Sequence, residues 1–143
     1  EKNTKRDDYV YLYDVFPTLC DILEMDAPES VQGKSFKKVL ENRESGFRKE
    51  LYLIFDKFVR GIKDEEYKLI EYRNGDEKGD SWSFLYNIKN DPWETENIIN
   101  DAEQKVRVME MRNRMLCMRD EWKEQEHPWG VDFWTRFNIE DNL

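Results

Sequence analysis

The 143-residue sequence has one histidine, two cysteines, four prolines and six glycines, and no apolar run approaches the roughly 18 to 20 residues of a membrane span. Each scarcity excludes something. With His127 as the sole histidine, a Ser-His-Asp or Cys-His site would have to be built on that residue, and no nucleophile on a sharp turn lies near it in sequence. Cys20 and Cys117 stand far apart, with no CxxC and no second cysteine nearby, so a cysteine metal site is not expected. Both are read as small buried hydrophobes, and a disulfide between them would need an oxidising compartment. Basic clusters are also missing. The net charge is −9, from 23 Lys+Arg against 32 Asp+Glu, and no five-residue stretch is dominated by Lys and Arg. Nucleic acid and membrane are therefore not expected partners. The opening Glu1-Lys2-Asn3-Thr4 carries neither an initiator Met nor a signal peptide, which reads as a piece of a larger protein, with any export signal elsewhere.

Aromatic residues, by contrast, make up 14% of the chain, too many for a disordered polypeptide. Val15, Leu19, Ile22 and Leu23 recur at helical spacing, with Phe16 and Cys20 widening the apolar face. Asp14 is the expected N-cap of that helix, and Pro17 falls inside its first turn, where a missing N–H costs nothing. The helix should fail by Asp26, because Pro28 disfavours helical geometry at Ala27. Gly33-Lys34-Ser35 invites a phosphate-loop reading, but that loop needs a glycine at position 28, where Pro28 stands. It is read instead as a turn into a short helix from Phe36 to Leu40. A polar loop follows from Asn42 to Lys49.

From Leu51 the period changes. Leu51 to Asp56, Phe58 to Lys63, Tyr67 to Tyr72 and Trp82 to Ile88 are β-prone runs, with Tyr67, Leu69 and Glu71 on one face of the third. Their short connections, including Asn74-Gly75-Asp76 with Gly79, require an antiparallel meander, since parallel pairing needs crossovers of about a dozen residues. A helix is expected from about Asp101 to Lys123, opened by an Asn100/Glu103 capping pair. Its Val108, Met111, Met115, Met118 and Trp122 form one stripe, broadened by Val106, Met109 and Leu116. Glu103/Arg107 and Glu110/Arg114 are spaced as i,i+4 ion pairs. The fold class is therefore α+β: a small four-stranded antiparallel sheet packed by a long C-terminal amphipathic helix, plus an N-terminal helix.

Four segments in order, Asp14-Val15-Phe16-Pro17-Thr18-Leu19-Cys20-Asp21-Ile22-Leu23, Gln32-Gly33-Lys34-Ser35, Tyr67-Lys68-Leu69-Ile70 and Leu85 to Ile98, resemble the C-terminal portion of type I, formylglycine-dependent sulfatases of the alkaline-phosphatase-like superfamily. The resemblance covers about Tyr9 to Met118. It implies that residues 1–45 are the C-terminal edge of a large α/β catalytic domain and 46–143 its C-terminal subdomain. It implies a parent that hydrolyses sulfate esters or sulfamates with a formylglycine, made in a C/S-x-P-x-R motif, and one Ca²⁺. Cys20 and Cys117 both fail that motif, so no catalytic residue, metal ligand or cofactor is assigned to this chain, which is expected to be inactive alone. Its expected partners are the missing N-terminal catalytic domain and, for the parent, a sulfated small molecule or sugar. The parent's compartment is not set by the residues; the resemblance suggests export to a periplasmic, lysosomal or extracellular space.

Within the chain, Arg60 is a candidate for binding an anionic sulfated substrate, since guanidinium suits sulfate as it suits phosphate. His127, Trp129, Trp134 and Arg136 in the aromatic tail are candidates for stacking on a sugar and holding its sulfate. Trp93 is expected to cover the sheet–helix junction, with Glu94 to Asn97 supplying acceptors ahead of the long helix. The competing readings are an independent protein-interaction module, gripping a partner through the Met-rich helix or the aromatic tail, and a pseudo-enzyme fragment. The apolar helix around Phe16 is expected to be left uncovered, promoting self-association of the isolated chain.

Overall fold

In the computed structural model, which describes residues 5–41, 43, 45–74 and 80–140, the alternating runs form a four-stranded antiparallel sheet in the order β1-β2-β3-β4. The strands are β1 Leu51–Phe55, β2 Val59–Lys63, β3 Lys68–Arg73 and β4 Ser81–Tyr86. The centre of the β3–β4 connection, 75–79, where the Gly75 and Gly79 turn signals fall, lies outside the described residues. Positions 42 and 44 of the expected polar loop do so as well. The chain divides into two compact units, Glu1–Leu51 and Tyr52–Leu143. Among the described residues, no helix is long and apolar enough to cross a membrane.

The register sorts side chains into rows. On the inner face, Ile62, Leu69 and Leu85 stand side by side, followed by Arg60, Glu71 and Ser83. On the outer face the rows are Val59–Tyr72–Trp82, Gly61–Ile70–Phe84 and Lys63–Lys68–Tyr86. Gly61 is required where it sits: a Cβ there would lie 2.8 Å from the Leu69 carbonyl oxygen. The inner apolar row packs against the long helix α3, Lys105–Glu121, through Val108, Met111 and Met115, and Tyr52 and Ile99 complete the core. The 3-4-3-4 stripe therefore faces the sheet as its spacing requires. Val106 does not belong to that face and is exposed.

Helix α3 starts later than its periodicity suggests. A 3-10 turn, Ala102–Gln104, precedes it, capped by Asp101 without a side-chain bond, so the Asn100/Glu103 capping pair does not open the helix. Lys123 at φ 51° ends the helical stretch, and a last helix, α4, runs Pro128–Arg136 with proline in its first turn. Cys117 is exposed, correcting the expectation that both cysteines are interior; Cys20 is buried.

Trp93 is likewise a correction. It is 86% exposed and covers no junction. The turn presenting it is held from behind: the Asp91 carboxylate accepts from the Thr95 and Glu96 amides at 2.7 and 3.0 Å. Glu94, at φ 55°, turns back to Lys68. Asn97 serves the sheet edge instead of the helix. Its Oδ1 accepts from Leu85 N–H at 2.9 Å, its Nδ2 donates to the Ser83 carbonyl, and Ile98 N–H follows to the Leu85 carbonyl. The β4 edge is thus paired rather than left open.

In the N-terminal unit, α1 spans Val15–Ile22 and α2 Lys37–Leu40, close to expectation. Asp14 has a larger role than a cap. Fully buried, it makes no side-chain cap bond to α1. Its carboxylate takes both Arg48 Nη groups, at 2.5 and 2.9 Å, together with the Lys34 and Tyr11 amides. Thr18 Oγ1 links the same helix onward, donating to the Asp14 carbonyl and accepting from Phe36 N–H. Gly33-Lys34-Ser35 is the turn folded against this hub: Ser35 donates to Asp21, and a Cβ at Gly33 would collide with the Tyr13 carbonyl.

Candidate functional site

The chemistry-bearing side chains of the C-terminal unit gather in the polar inner row of the sheet. Strand alternation sends Arg60, Glu71, Ser83 and Arg73 inward, and all four are buried. Charges placed there need partners, because an unpaired buried ion costs several kcal/mol. Two networks supply them.

In the first, Glu71 accepts from Arg112 Nε of α3 at 2.7 Å and from Ser83 Oγ at 2.6 Å, and pairs with Arg73 at 2.9 Å. Arg112 also donates to Ser83 Oγ and to the Ile139 carbonyl, which ties the end of the chain to the helix. The Phe137 ring lies under both guanidinium groups, 5.3 and 6.0 Å from their central carbons.

In the second, Glu124 receives Arg60 Nε and Nη2 on Oε1, and Tyr52 Oη at 2.5 Å and Trp134 Nε1 at 3.0 Å on Oε2. Arg60 spends its remaining donors on backbone carbonyls, Asp56 and Val59 through Nη1 and Trp129 through Nη2, and its carbon face lies 4.8 Å from the Phe133 centroid. Burial, then the hydrogen bond to Glu124, pushes the Tyr52 hydroxyl far above its ordinary pKa, so it stays a donor at any physiological pH.

The five candidate residues for a sulfated ligand occupy different settings. Arg60 is fully buried, its guanidinium directed to Glu124 and to carbonyls. It is brought against the start of α4, where His127 and Trp129 are exposed. There the His127 Nδ1 accepts from the Trp129 amide at 3.2 Å, and the two rings meet edge to face at 5.6 Å. Arg136, at the other end of α4, is paired with Asp132 one turn earlier at 2.5 Å. Trp134 packs against the core. Local sequence pattern carries no signal for Arg112 and Glu124 as partners of the sheet, nor for the pairing of Glu71. Glu71 was placed on the correct face by alternation, but its partners lie 41 residues away at Arg112 and 12 away at Ser83, separations that carry no local signal.

Charge pairs on α3 also reach further than their spacing suggests. Arg114 donates through both Nη groups to Asp64 at 2.9 Å, and Arg107 lies 4.0 Å over the Tyr67 ring. In the N-terminal unit, a recess of about 410 Å³ is lined by Tyr13, Phe16, Ser30, Val31, Gln32 and Gly33. Phe16 and Leu19, both 52% exposed, carry the open face of α1 beside it. Among the described residues, no group of three or more His, Cys, Asp or Glu could hold a metal ion.

The C-terminal unit is thus an antiparallel sheet backed by one long helix, its β4 edge zipped by the Asn97 segment, and the N-terminal unit is an Asp14-centred helix and turn. Comparisons with known proteins show the family. The family model described as N-sulphoglucosamine sulphohydrolase, C-terminal, matches residues 1–121, and the chain belongs to that family. It is 28% identical over 124 residues to an N-acetylglucosamine-6-O-sulfatase of Bacteroides thetaiotaomicron, covering 79% of this chain and 22% of the relative. It is 28% identical over 127 residues to an arylsulfatase of Clostridium perfringens, covering 87% of this chain and 25% of the relative. Among solved structures, BT4656 in complex with its substrate D-glucosamine-2-N,6-O-disulfate superposes with a TM-score of 0.68 at 26% identity, over 82% of this chain and 25% of that one. The chain thus spans about a quarter of the length of these sulfatases. The aromatic tail from Trp122 onward lies beyond the family match.

Proposed function

We propose that this chain is the structural C-terminal portion of a sulfatase that removes sulfate, as ester or sulfamate, from a glucosamine-type sugar. The observation carrying this reading is the family match across residues 1–121, whose motifs fold into the sheet, helix and turn described above. The sugar class is supported by the N-acetylglucosamine-6-O-sulfatase relative and by the disulfated glucosamine bound to BT4656. In this reading the nucleophile and the metal belong to the preceding catalytic portion of the parent. The buried Arg60, Glu71, Arg73, Arg112 and Glu124 hold the sheet, α3 and α4 together, and in this reading the chain alone is inactive. Of the candidate ligand residues, His127 and Trp129 keep their side chains available to a sugar.

The test is mass spectrometry of the polypeptide made from the whole reading frame. A formylglycine within a C/S-x-P-x-R motif ahead of Tyr9 is the expected result. A reading frame that encodes no such motif would leave the pseudo-enzyme reading in its place.

A further inference from the structure

The solvent side of α4 belongs to neither buried network. Gly130 and Phe133 are buried and Trp134 packs against the core. Beside that buried side, Trp129, Asp132 and Arg136 follow one another at intervals of three and four residues and so share a stripe. Lys57, in the turn between β1 and β2, reaches the same stripe from the sheet: its Nζ lies 4.0 Å from Asp132 Oδ2, while Arg136 Nη2 donates to Asp132 Oδ1 at 2.5 Å. Both cations stay open to water, with 44% and 34% of their side chains exposed. One carboxylate thus spaces two cations along the helix from an indole that is itself 51% exposed. The backbone under that indole is fixed. The Trp129 amide donates to His127 Nδ1 at 3.2 Å, its carbonyl accepts from the buried Arg60 at 3.4 Å, and the next residue, Gly130, sits where a Cβ would collide with the Glu124 carbonyl. Because His127 Nδ1 accepts, the neutral ring carries its proton on Nε2, a further donor at the same end of the helix.

We infer that this stripe of α4 is a binding site for a sulfated hexosamine, with the Trp129 indole stacked on the pyranose ring and Lys57 and Arg136 donating to the sulfate. The sugar class rests on the proposed function; the residues and their roles follow from chemistry. The axial C–H bonds of a pyranose present an apolar, weakly positive face that matches the electron-rich face of an indole. A sulfate stays anionic and offers oxygens to an ammonium and to a guanidinium fork. Asp132 uses two of its roughly four acceptor positions on the two cations, which leaves the others for sugar hydroxyls. Arg60 takes no part in the contact and acts as a positioning residue, through the Trp129 carbonyl. A side chain held this firmly loses little freedom when the ring stacks on it. Trp93 shows that exposure alone does not make such a site: it is 86% exposed, but its neighbours Asp91, Glu94 and Glu96 are acidic and would repel a sulfate.

The experiment follows the indole N–H signals of the five tryptophans by NMR while this chain is titrated with D-glucosamine-2-N,6-O-disulfate, with unsulfated glucosamine and with sodium sulfate in separate arms. The Trp129 signal is expected to shift saturably with the disulfated sugar while Trp93 stays in place. Unsulfated glucosamine should bind about tenfold more weakly or less, and sodium sulfate alone should leave the Trp129 indole unmoved. Trp129→Ala and Arg136→Gln should each weaken binding about tenfold, whereas Val131→Ser, on another side of α4, should not. Equal shifts at Trp93, equal affinity for the unsulfated sugar, a full response to sulfate alone, or the same loss from Val131→Ser would overturn the inference. A second measurement does not need the chain to fold separately: hydroxyl-radical footprinting of the polypeptide of the whole reading frame should show Trp129 and His127 protected by the disulfated sugar. Equal oxidation with and without the sugar would overturn the site. A whole polypeptide that hydrolyses no sulfated sugar but gives this protection would defeat the proposed function and leave the site standing; hydrolysis without the protection would do the reverse.

Discussion

Arg60 on β2 and Glu124 beyond α3, 64 residues apart, form a buried ion pair that joins the sheet to the aromatic tail. The carboxylate also takes Tyr52 and Trp134, so β1, β2 and α4 meet on one side chain. Close contact elsewhere reinforces the joint: a Cβ at Gly130 would collide with the Glu124 carbonyl.

Glu124→Ala leaves a buried guanidinium without its anion and should cost about 3–5 kcal/mol in urea unfolding, whereas a paired hydrophobic replacement, Arg60→Met with Glu124→Leu, should recover most of the loss. Both are measured by denaturant titration followed through tryptophan fluorescence. A Glu124→Ala loss below about 1 kcal/mol would mean that the pair is not closed in solution.

In the N-terminal unit the equivalent test falls on Asp14. Its carboxylate ties Arg48, Lys34 and Tyr11 together from a fully buried position. Asp14→Ala should open that unit selectively, by about 3 kcal/mol, leaving Arg48 and the Lys34 amide unsatisfied. Hydrogen exchange is the readout: faster exchange at Lys34 and Phe36, with β3 and β4 amides unchanged. Uniform acceleration across both units would contradict the local role.

Much of this architecture is legible in the sequence, because period is a local property. Alternation from Leu51 to Ile88 locates all four strands, and the Met111/Met115 stripe assigns the packed face of α3. Alternation also places Glu71 on the inner face with Leu69. What local pattern does not convey is that a charge on that face has a partner elsewhere in the chain, so the two ion networks stay invisible until Arg112 and Glu124 are brought to the sheet. Asp14 reads as a helix cap for the same reason: its position suits a cap, but the donors that claim its carboxylate come from Lys34 and Arg48. Trp93 misleads in the opposite direction, since large apolar residues are normally covered, and this one sits on a turn held outward by Asp91.

Acid should weaken the contact between β2–β3 and α3. Burial tends to raise the Asp64 pKa, but the Tyr67 and Glu66 amides and the Arg114 guanidinium outweigh it and hold the carboxyl below the ordinary value of 3.8. A carboxylate depressed in the folded state contributes stability that is complete above its unfolded pKa and is lost as pH falls through the folded one. Stability should therefore decline below about pH 4, and Asp64→Asn should lower stability at neutral pH and flatten that acid limb. Thermal melts from pH 2 to 7 provide the comparison. An Asp64→Asn variant with the same acid limb as the parent sequence would remove Asp64 from the explanation.

The open face of α1 makes a prediction about the separate chain. Val15, Phe16, Leu19 and Ile22 are all exposed on one short helix, and exposed apolar patches of this kind favour association. Static light scattering should show association that grows with salt, as screening reduces the repulsion between copies of net charge −9. Phe16→Glu with Leu19→Lys should return the chain to a monomer. Mass that stays monomeric at every salt concentration would mean that this face needs no cover.

The central claim, that this chain is the structural C-terminal part of a sulfatase and carries none of its chemistry, is tested most directly by measuring sulfate released from glucosamine bearing a 6-O- or N-sulfate. The chain alone should release none, and the polypeptide of the whole reading frame should release it with turnover. Sulfate release by the chain alone would contradict the account, as would a whole polypeptide that folds but releases none.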